Sequence, residues 1–432
     1  MSPAVAVLGA SGLIGHAVAA DLRHRGFSVC GYARHFTAAQ KTVLGRVQET
    51  PLLSLSEGAL RDLLQGSDIV VNTIGILQGN NIDAIHHAFA SRLAAFCASE
   101  PRKLLVHLSI PGNEAEDRTS YSRSKREGER AIAASGAPYL ILRPGFVIAQ
   151  NAYGGSALIR ALAALPLDLP ARERNAAFAA TAISDICETV ALIARRWRGG
   201  ERDWHAAWDV MEENPGTVGG IVAAFRSHNG GPVPWFAAPS WALAPGAIAG
   251  DLASILGWKP PIRSTAIAEM RRGVQGDPHD WMKETRLKPL SAGEAVAMTP
   301  ATVQEKWFAR LYLFKALALA ILVVFWCVSG LIALTVAFDA ACQTLLDHGF
   351  SLPIAQGVTI GSSVLDISIG FLIAVRRTSA FGLTAGIFVS LGYMAGSAVV
   401  APELWIEPLG ALVKTGPAIV LMLFCLAMLD DR

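Results

Sequence analysis

Short β-branched runs alternate with helical periodicity from the N-terminus to about residue 145. Residues 5–8, 28–32, 69–74, 104–109 and 139–142 are apolar runs of strand length, and between them apolar positions recur every three or four residues. A strand covered on both faces is apolar throughout, and a parallel neighbour needs a crossover long enough for a helix. The rhythm therefore predicts an α/β fold built on a doubly wound parallel sheet. From about 145 to 300 Ala, Pro and Trp accumulate, and breakers such as Pro232, Pro234, Pro239, Pro260 and Pro261 interrupt the pattern. This stretch predicts a small lobe within a first domain of residues 1–300, with residues 182–194 forming a helix that returns to the sheet.

Beyond Trp307 charge almost disappears. The few charges left divide residues 313–432 into four apolar pieces, about 313–337, 354–375, 379–401 and 408–429, behind a linker at 301–312. About 20 residues cross a hydrocarbon core of about 30 Å, so each piece is long enough. One such helix fits the core of a soluble domain, whereas four in succession predict an all-α bundle of four transmembrane helices. Lys306, Arg310 and Lys315 precede the first span, and Arg376 and Arg377 separate the second from the third. The other two connections carry Asp339, Asp347, Glu403 and Glu407 without Lys or Arg. Basic flanks stay cytoplasmic, so both termini are expected there. Met1, Ser2 and Pro3 lead into the first strand with no basic n-region, which does not read as a signal peptide. The expectation is a multi-pass inner (cytoplasmic) membrane protein, its N-terminal domain and C-terminus in the cytoplasm and the lipid bilayer as a partner.

A chain that is 52% hydrophobic and 17% charged is too apolar to be wholly soluble, which agrees with the spans. The net charge of +2 and the lack of any basic stripe exclude nucleic acid as an expected partner. Arg195, Arg196 and Arg198, beside Trp197, read as a solvated helix end. The 6 cysteines form no CxxC pair, so neither a disulfide framework nor a zinc site is indicated. His86 and His87 point about 100° apart on a helix and cannot share a metal, so they read as ordinary polar residues and no metal is expected.

Gly9, Ala10, Ser11, Gly12, Leu13, Ile14 and Gly15 join the first strand to an apolar-periodic helix. Gly9 permits a tight turn, Gly12 lets backbone approach a pyrophosphate, and Gly15 allows the helix to pack on the strand, while the helix start offers unpaired N–H groups and a positive dipole end. This predicts a dinucleotide site on a Rossmann-type sheet. The second strand ends in Ala33 and Arg34, and no acid stands between Asp21 and Glu49 to take the ribose hydroxyls. A guanidinium at Arg34 suits a 2′-phosphate, so NADP(H) is expected over NAD(H). The alternative is that Arg34 is a solvated strand end.

Tyr121 and Lys125 are four residues apart, on one face of a helix. A phenol titrating at about 10 becomes useful at neutral pH when an ammonium and cofactor charge stabilise its phenolate. Ser109, at the end of the preceding strand, is placed to polarise a carbonyl. With these residues the chain resembles the extended and atypical short-chain dehydrogenase/reductases, including epimerase-like and NmrA-like members, over about residues 1–300. The resemblance assigns Tyr121 as acid/base, Lys125 to the nicotinamide ribose and Ser109 to the substrate. It also makes Asn72, Thr73, Ile74 and Gly75 a cofactor-supporting turn, brings Leu142, Arg143, Pro144 and Gly145 to the nicotinamide side, and makes Ile183, Ser184, Asp185 and Ile186 the helix start after the substrate lobe. Gln48, Glu49, Thr50 and Pro51 depart from the family's adenine-contacting Asp. The last third resembles the DoxX-like four-helix membrane family.

Asp366 near the middle of the second span and Lys414 inside the fourth are membrane-site candidates, as an ion pair or around a polar head group such as a quinone. The alternative has Lys414 snorkelling to the interface and Asp366 protonated or bonded to Ser362 or Ser363. Gly361, Gly370, Gly382, Gly386, Gly392 and Gly396 are expected to permit close helix packing. The favoured function is an NADP(H)-dependent oxidoreductase moving hydride between nicotinamide and a hydrophobic or membrane-associated carbonyl, alcohol or quinone-like small molecule. A second reading is a non-catalytic NADPH-binding sensor or assembly protein with a membrane-protein partner in a respiratory complex. A weaker third is a nucleotide-sugar epimerase or dehydratase.

Overall fold

The computed structural model describes residues 3–79, 81–100, 103–406, 410 and 412–429. The chain divides into two compact units, residues 1–248 with 261–309, and residues 249–260 with 310–432. In the first unit β1 (Ala4–Leu8), β2 (Ser28–Ala33), β3 (Val47–Glu49), β4 (Ile69–Asn72), β5 (Leu104–Leu108) and β6 (Tyr139–Pro144) join the strand His205–Val210 in one seven-stranded sheet. Every pairing is parallel, in the order β3, β2, β1, β4, β5, β6, then His205–Val210. The order reverses between β1 and β4, and at such a switch point the carboxyl ends of the strands part into a crevice.

Alternate strand residues feed two cores, as a sheet covered on both faces requires. One face packs under α1 (Leu13–His24) and the helix Ile183–Arg198, through Val18, Leu22, Ile186, Val190 and Trp197. The other packs under α3 (Glu57–Leu64), α4 (Phe89–Ser99) and α5 (Ser120–Ala133), through Leu60, Phe89, Leu93 and Ile132. The stretch beyond residue 145 is more interleaved than its texture implied. His205–Val210 returns to extend the main sheet beside β6, and Trp281, fully buried, reaches that core with its Nε1 donating to Thr189 Oγ1 at 2.9 Å. The remainder closes on a third core around Ile159, Ile221, Phe225 and Val296.

In the second unit the helices Val303–Leu334, Leu352–Ala374 and Ser379–Val400 are long and apolar enough to cross a membrane. A fourth apolar helix, Thr415–Ala427, is 13 residues long, and residues 407–409 and 411 before it, Glu407 included, lie outside the described residues. The segment 249–260 belongs to this unit, with Trp258 Nε1 donating to Ala374 O at 2.7 Å. Leu322, Trp326, Ile373, Leu383 and Met422 fill its centre, while Phe371, Phe381 and Phe388 point outward. Three of the glycines expected at helix contacts are there: a Cβ on Gly370 would meet Cys327 Sγ at 2.3 Å, on Gly382 Ile373 N at 2.7 Å and on Gly386 Trp326 at 3.1 Å. Gly361, Gly392 and Gly396 have open space around them instead, so close packing does not explain them.

Candidate functional site

The glycine turn sits at the switch point. Gly9 has φ +84°, a left-handed conformation that glycine adopts without strain, and its carbonyl accepts from Gly12 N at 2.9 Å. A Cβ on Gly15 would stand 2.4 Å from Gly9 O and 2.5 Å from Thr73 Oγ1, so α1 rests on the turn by glycine alone. Gly12 caps α1 with no side-chain acceptor for the first-turn N–H groups, leaving Leu13, Ile14 and Gly15 to offer theirs. Ser11 O is held by Gln40 Nε2 at 3.1 Å, which ties the turn to α2 (Ala38–Leu44).

Arg34 follows β2, exposed and, among the described residues, without an ion pair. An acid distant in sequence comes back through strand pairing: Glu49 lies opposite Ala33 on β3. Its carboxylate is already engaged by Lys41 Nζ at 2.9 Å and by Phe36 N at 3.0 Å, which hold it below the usual carboxylate range. Lys41 thus offsets the carboxylate that strand pairing brings opposite Ala33.

Behind the turn, Asn72 is buried and bridges two directions, its Oδ1 accepting from Ile74 N and its Nδ2 meeting His107 Nδ1, both at 3.1 Å. An amide NH2 can only donate, so His107 carries its hydrogen on Nε2, and that buried N–H has no partner among the described residues. Two residues on, Ser109 Oγ is also buried and, among the described residues, unpartnered. Thr73 Oγ1 donates to Leu8 O at 2.7 Å, and a Cβ on Gly75 would lie 3.4 Å from Lys125 Nζ. Asn72, Thr73, Gly75, Ser109 and Lys125 therefore gather at the carboxyl ends of β1, β4 and β5. Pro144 ends β6, and Gly145 N donates to Thr181 Oγ1 at 2.8 Å.

Lys125 is buried and donates to Leu108 O at 2.8 Å; burial brings its ammonium down to about 8, opposed by Glu129. Tyr121 sits one turn earlier, its ring edge-on to His86 at 5.4 Å. Burial and the Glu269 carboxylate push its phenol up, while Arg272 opposes them. The charges acting on Tyr121 thus include those of Glu269 and Arg272, which carried no motif. Behind α5 a buried ionic network fixes the helix: Arg126 bonds Asp117 at 3.0 Å and Glu129 at 3.3 Å, and Arg143 bonds Glu129 at 2.6 Å. A cavity of about 560 Å³ adjoins the start of α5, lined by Thr119, Glu269 and Arg272 and by the apolar Leu243, Ala247 and Ile267.

Two histidines that read as ordinary polar residues part company. His86 is fully buried and hydrogen-bonded, whereas His87 is partly exposed with Asp83 and Glu127, their ligand atoms within 4.8 Å of one another. In the second unit Asp366 does not pair with Lys414, nor do the neighbouring serines hold it. Tyr393 OH donates to Asp366 Oδ1 at 2.8 Å, while Ser362 and Ser363 turn back to Thr359 O. Lys414 caps the helix Thr415–Ala427.

The parallel sheet, the glycine turn at its switch point and the polar cluster beside it define a dinucleotide-binding Rossmann-type domain. Residues 9–185 match the NAD(P)H-binding family and residues 323–423 the DoxX-like family, so the chain joins an NAD(P)H-binding domain to a DoxX-like domain. No curated protein sequence matches. Among solved structures, MoeE5 in complex with UDP-glucuronic acid and NAD is 17% identical, covers 68% of this chain and 97% of its own, and has a TM-score of 0.51. A mutant of the Bacillus cereus UDP-glucuronic acid 4-epimerase in complex with UDP-4-deoxy-4-fluoro-glucuronic acid and NAD is 14% identical over 72% of this chain and 99% of its own, TM-score 0.51. TunA, an NAD-dependent NDP-hexosamine 5,6-dehydratase of tunicamycin biosynthesis, is 15% identical over 71% and 98%, TM-score 0.51. At these identities the likeness is one of fold.

Proposed function

We propose that the protein is a membrane-anchored, NADP(H)-dependent oxidoreductase of the short-chain dehydrogenase/reductase type, acting on a hydrophobic or membrane-associated carbonyl, alcohol or quinone-like molecule. The observation that carries this reading is the buried, unpartnered Ser109 hydroxyl beside Lys125, next to a turn that only glycine can form. A buried donor without an acceptor is costly unless a ligand completes it. The residues fit a dinucleotide: the α1 N-terminus takes the pyrophosphate, Arg34 a 2′-phosphate, and Asn72, Thr73, Gly75, Pro144 and Lys125 border the nicotinamide end. Such a nucleotide, when bound, gives or takes hydride. Ser109 holds the substrate oxygen, Tyr121 supplies or receives its proton, and Lys125 stabilises the charge that proton leaves behind.

The apolar side of the cavity, made by Leu243, Ala247 and Ile267, supports a hydrophobic substrate. Trp235 and Trp241, exposed on the same unit, are side chains favoured at a bilayer interface, and the basic flanks of the spans support a cytoplasmic nucleotide site. The test is optical. Detergent-solubilised protein with NADPH and a panel of lipid-soluble carbonyls and quinones is expected to lose nicotinamide absorbance, and Tyr121→Phe to abolish that loss. Retained turnover in Tyr121→Phe overturns the assigned acid.

One observation favours the second reading, a non-catalytic NADPH-holding assembly or sensor protein: Lys125 is bonded to a backbone carbonyl while burial and Glu269 keep Tyr121 protonated. Tight NADPH binding without turnover of any tested substrate, with membrane subunits copurifying, is its signature.

A further inference from the structure

Between the 72–76 loop and the residues of α5 lies one buried imidazole. A π-helical turn, Ala84–Ala88, precedes α4 and centres on His86. Such turns are rare, because the wider ring packs poorly, and they concentrate at functional sites. The bonding of His86 admits one arrangement. Ile76 N–H can only donate, so His86 Nε2, 3.1 Å away, is the acceptor and bears no hydrogen. Nδ1 then carries the hydrogen and donates to Ser124 Oγ at 3.0 Å, and Ser124 donates onward to Tyr121 O at 3.0 Å. The ring's flank meets Tyr121 edge-on. Burial, with the charge of Lys125, takes the imidazole down to about 3, so this tautomer persists across the working pH range.

The backbones around the ring leave it no other place. A Cβ on Gly128 would lie 2.2 Å from His86 O, so α5 rests directly on the π turn, and a Cβ on Gly75 would lie 3.6 Å from His86 Nε2. Packing alone would be served as well by Phe. What Phe cannot do is accept from the Ile76 amide and hold Ser124, which stands between Tyr121 and Lys125. We infer that His86 is a positioning residue that transmits the ordering of the 72–76 loop by bound nucleotide to Tyr121 and the first turns of α5. The inference rests on the dinucleotide reading above.

The test uses the full chain in detergent, with NADPH affinity measured by calorimetry and hydrogen–deuterium exchange followed by mass spectrometry. In the wild type NADPH is expected to slow exchange both in the 72–76 loop and in residues 120–126. In His86→Phe, affinity should fall about five- to tenfold, the worth of one or two buried hydrogen bonds, and the nucleotide-dependent slowing should vanish from 120–126. His86→Gln, whose amide oxygen accepts from Ile76, should recover much of the affinity. Ser124→Ala should keep the affinity and lose only the 120–126 response, and it carries the test if His86→Phe fails to fold. A His86→Phe or Ser124→Ala protein with the wild-type response at 120–126 overturns the coupling alone, as does a wild type that binds NADPH without that response. A wild type that binds neither nucleotide overturns the dinucleotide reading and this coupling with it.

Discussion

Replacing Gly15 by Ala adds one methyl group to α1 at its closest approach to the glycine turn. The new Cβ would sit 2.4 Å from Gly9 O, 2.5 Å from Thr73 Oγ1 and 2.8 Å from Gly9 C. Carbon and oxygen normally approach no closer than about 3.3 Å, so the overlap is close to an ångström, mostly against backbone. Thr73 cannot step aside freely, because its hydroxyl is bonded to Leu8 O at 2.7 Å. Overpacking of this kind costs about 1–3 kcal/mol. Loss of the Thr73 bond adds about 1 kcal/mol. Ala is the better helix former by about 1 kcal/mol, which offsets part of the loss. The net expectation is a destabilisation of about 1–3 kcal/mol, or roughly 2–10 °C in the melting temperature of the N-terminal unit. Trp197, Trp204, Trp208 and Trp281, all buried in that unit, report its unfolding by fluorescence. Nucleotide affinity should fall at least about tenfold, because the Gly9 carbonyl that braces the turn is displaced. Gly58→Ala is the control: nothing lies within 4 Å of its Cβ, so α3 should be stabilised slightly. A Gly15→Ala protein that melts at or above the wild type and binds nucleotide as well would refute the steric reasoning.

Arg34→Ala is expected to weaken NADPH binding about tenfold and leave NADH nearly unchanged, read by titration of the full chain with each nucleotide. Equal losses for both, or none, would show that Arg34 does not meet a 2′-phosphate. His86 and His107 both titrate below 6.5 in the folded chain because burial disfavours their charged forms. As pH falls from about 6.5 the unfolded chain takes up these protons first, so stability is lost progressively toward His86's folded value of about 3. Each group contributes a slope of about 1.4 kcal/mol per pH unit. Urea unfolding at several pH values should show this acid limb, and His107→Asn should flatten it; an unchanged slope contradicts the assignment.

The strands β1, β2, β4, β5 and β6 were legible because each is an apolar run between helical periods. β3 is three residues long and shows no period of its own, so the apolar pattern does not mark it. His205–Val210 is an edge strand in mixed texture, and only its pairing to β6 identifies it. Motif residues that share one turn or helix, such as Gly9 to Gly15 or Tyr121 with Lys125, were readable from spacing. His86, His107, Glu49 and Glu269 were not, because each acquires its meaning from a partner on another element. His86 had a faint trace, one of two adjacent histidines in an apolar helical stretch, but the sequence does not say which of the two turns inward. Asp366 stood out as a charge in an apolar run, but its partner Tyr393 lies on the next helix, 27 positions away.

Isothermal titration of the detergent-solubilised full chain with NADPH and NADH decides whether the glycine turn grips a diphosphate. Saturable binding of one nucleotide per chain, tighter for NADPH and lost in Gly15→Ala, is expected. No heat of binding from either nucleotide would contradict it.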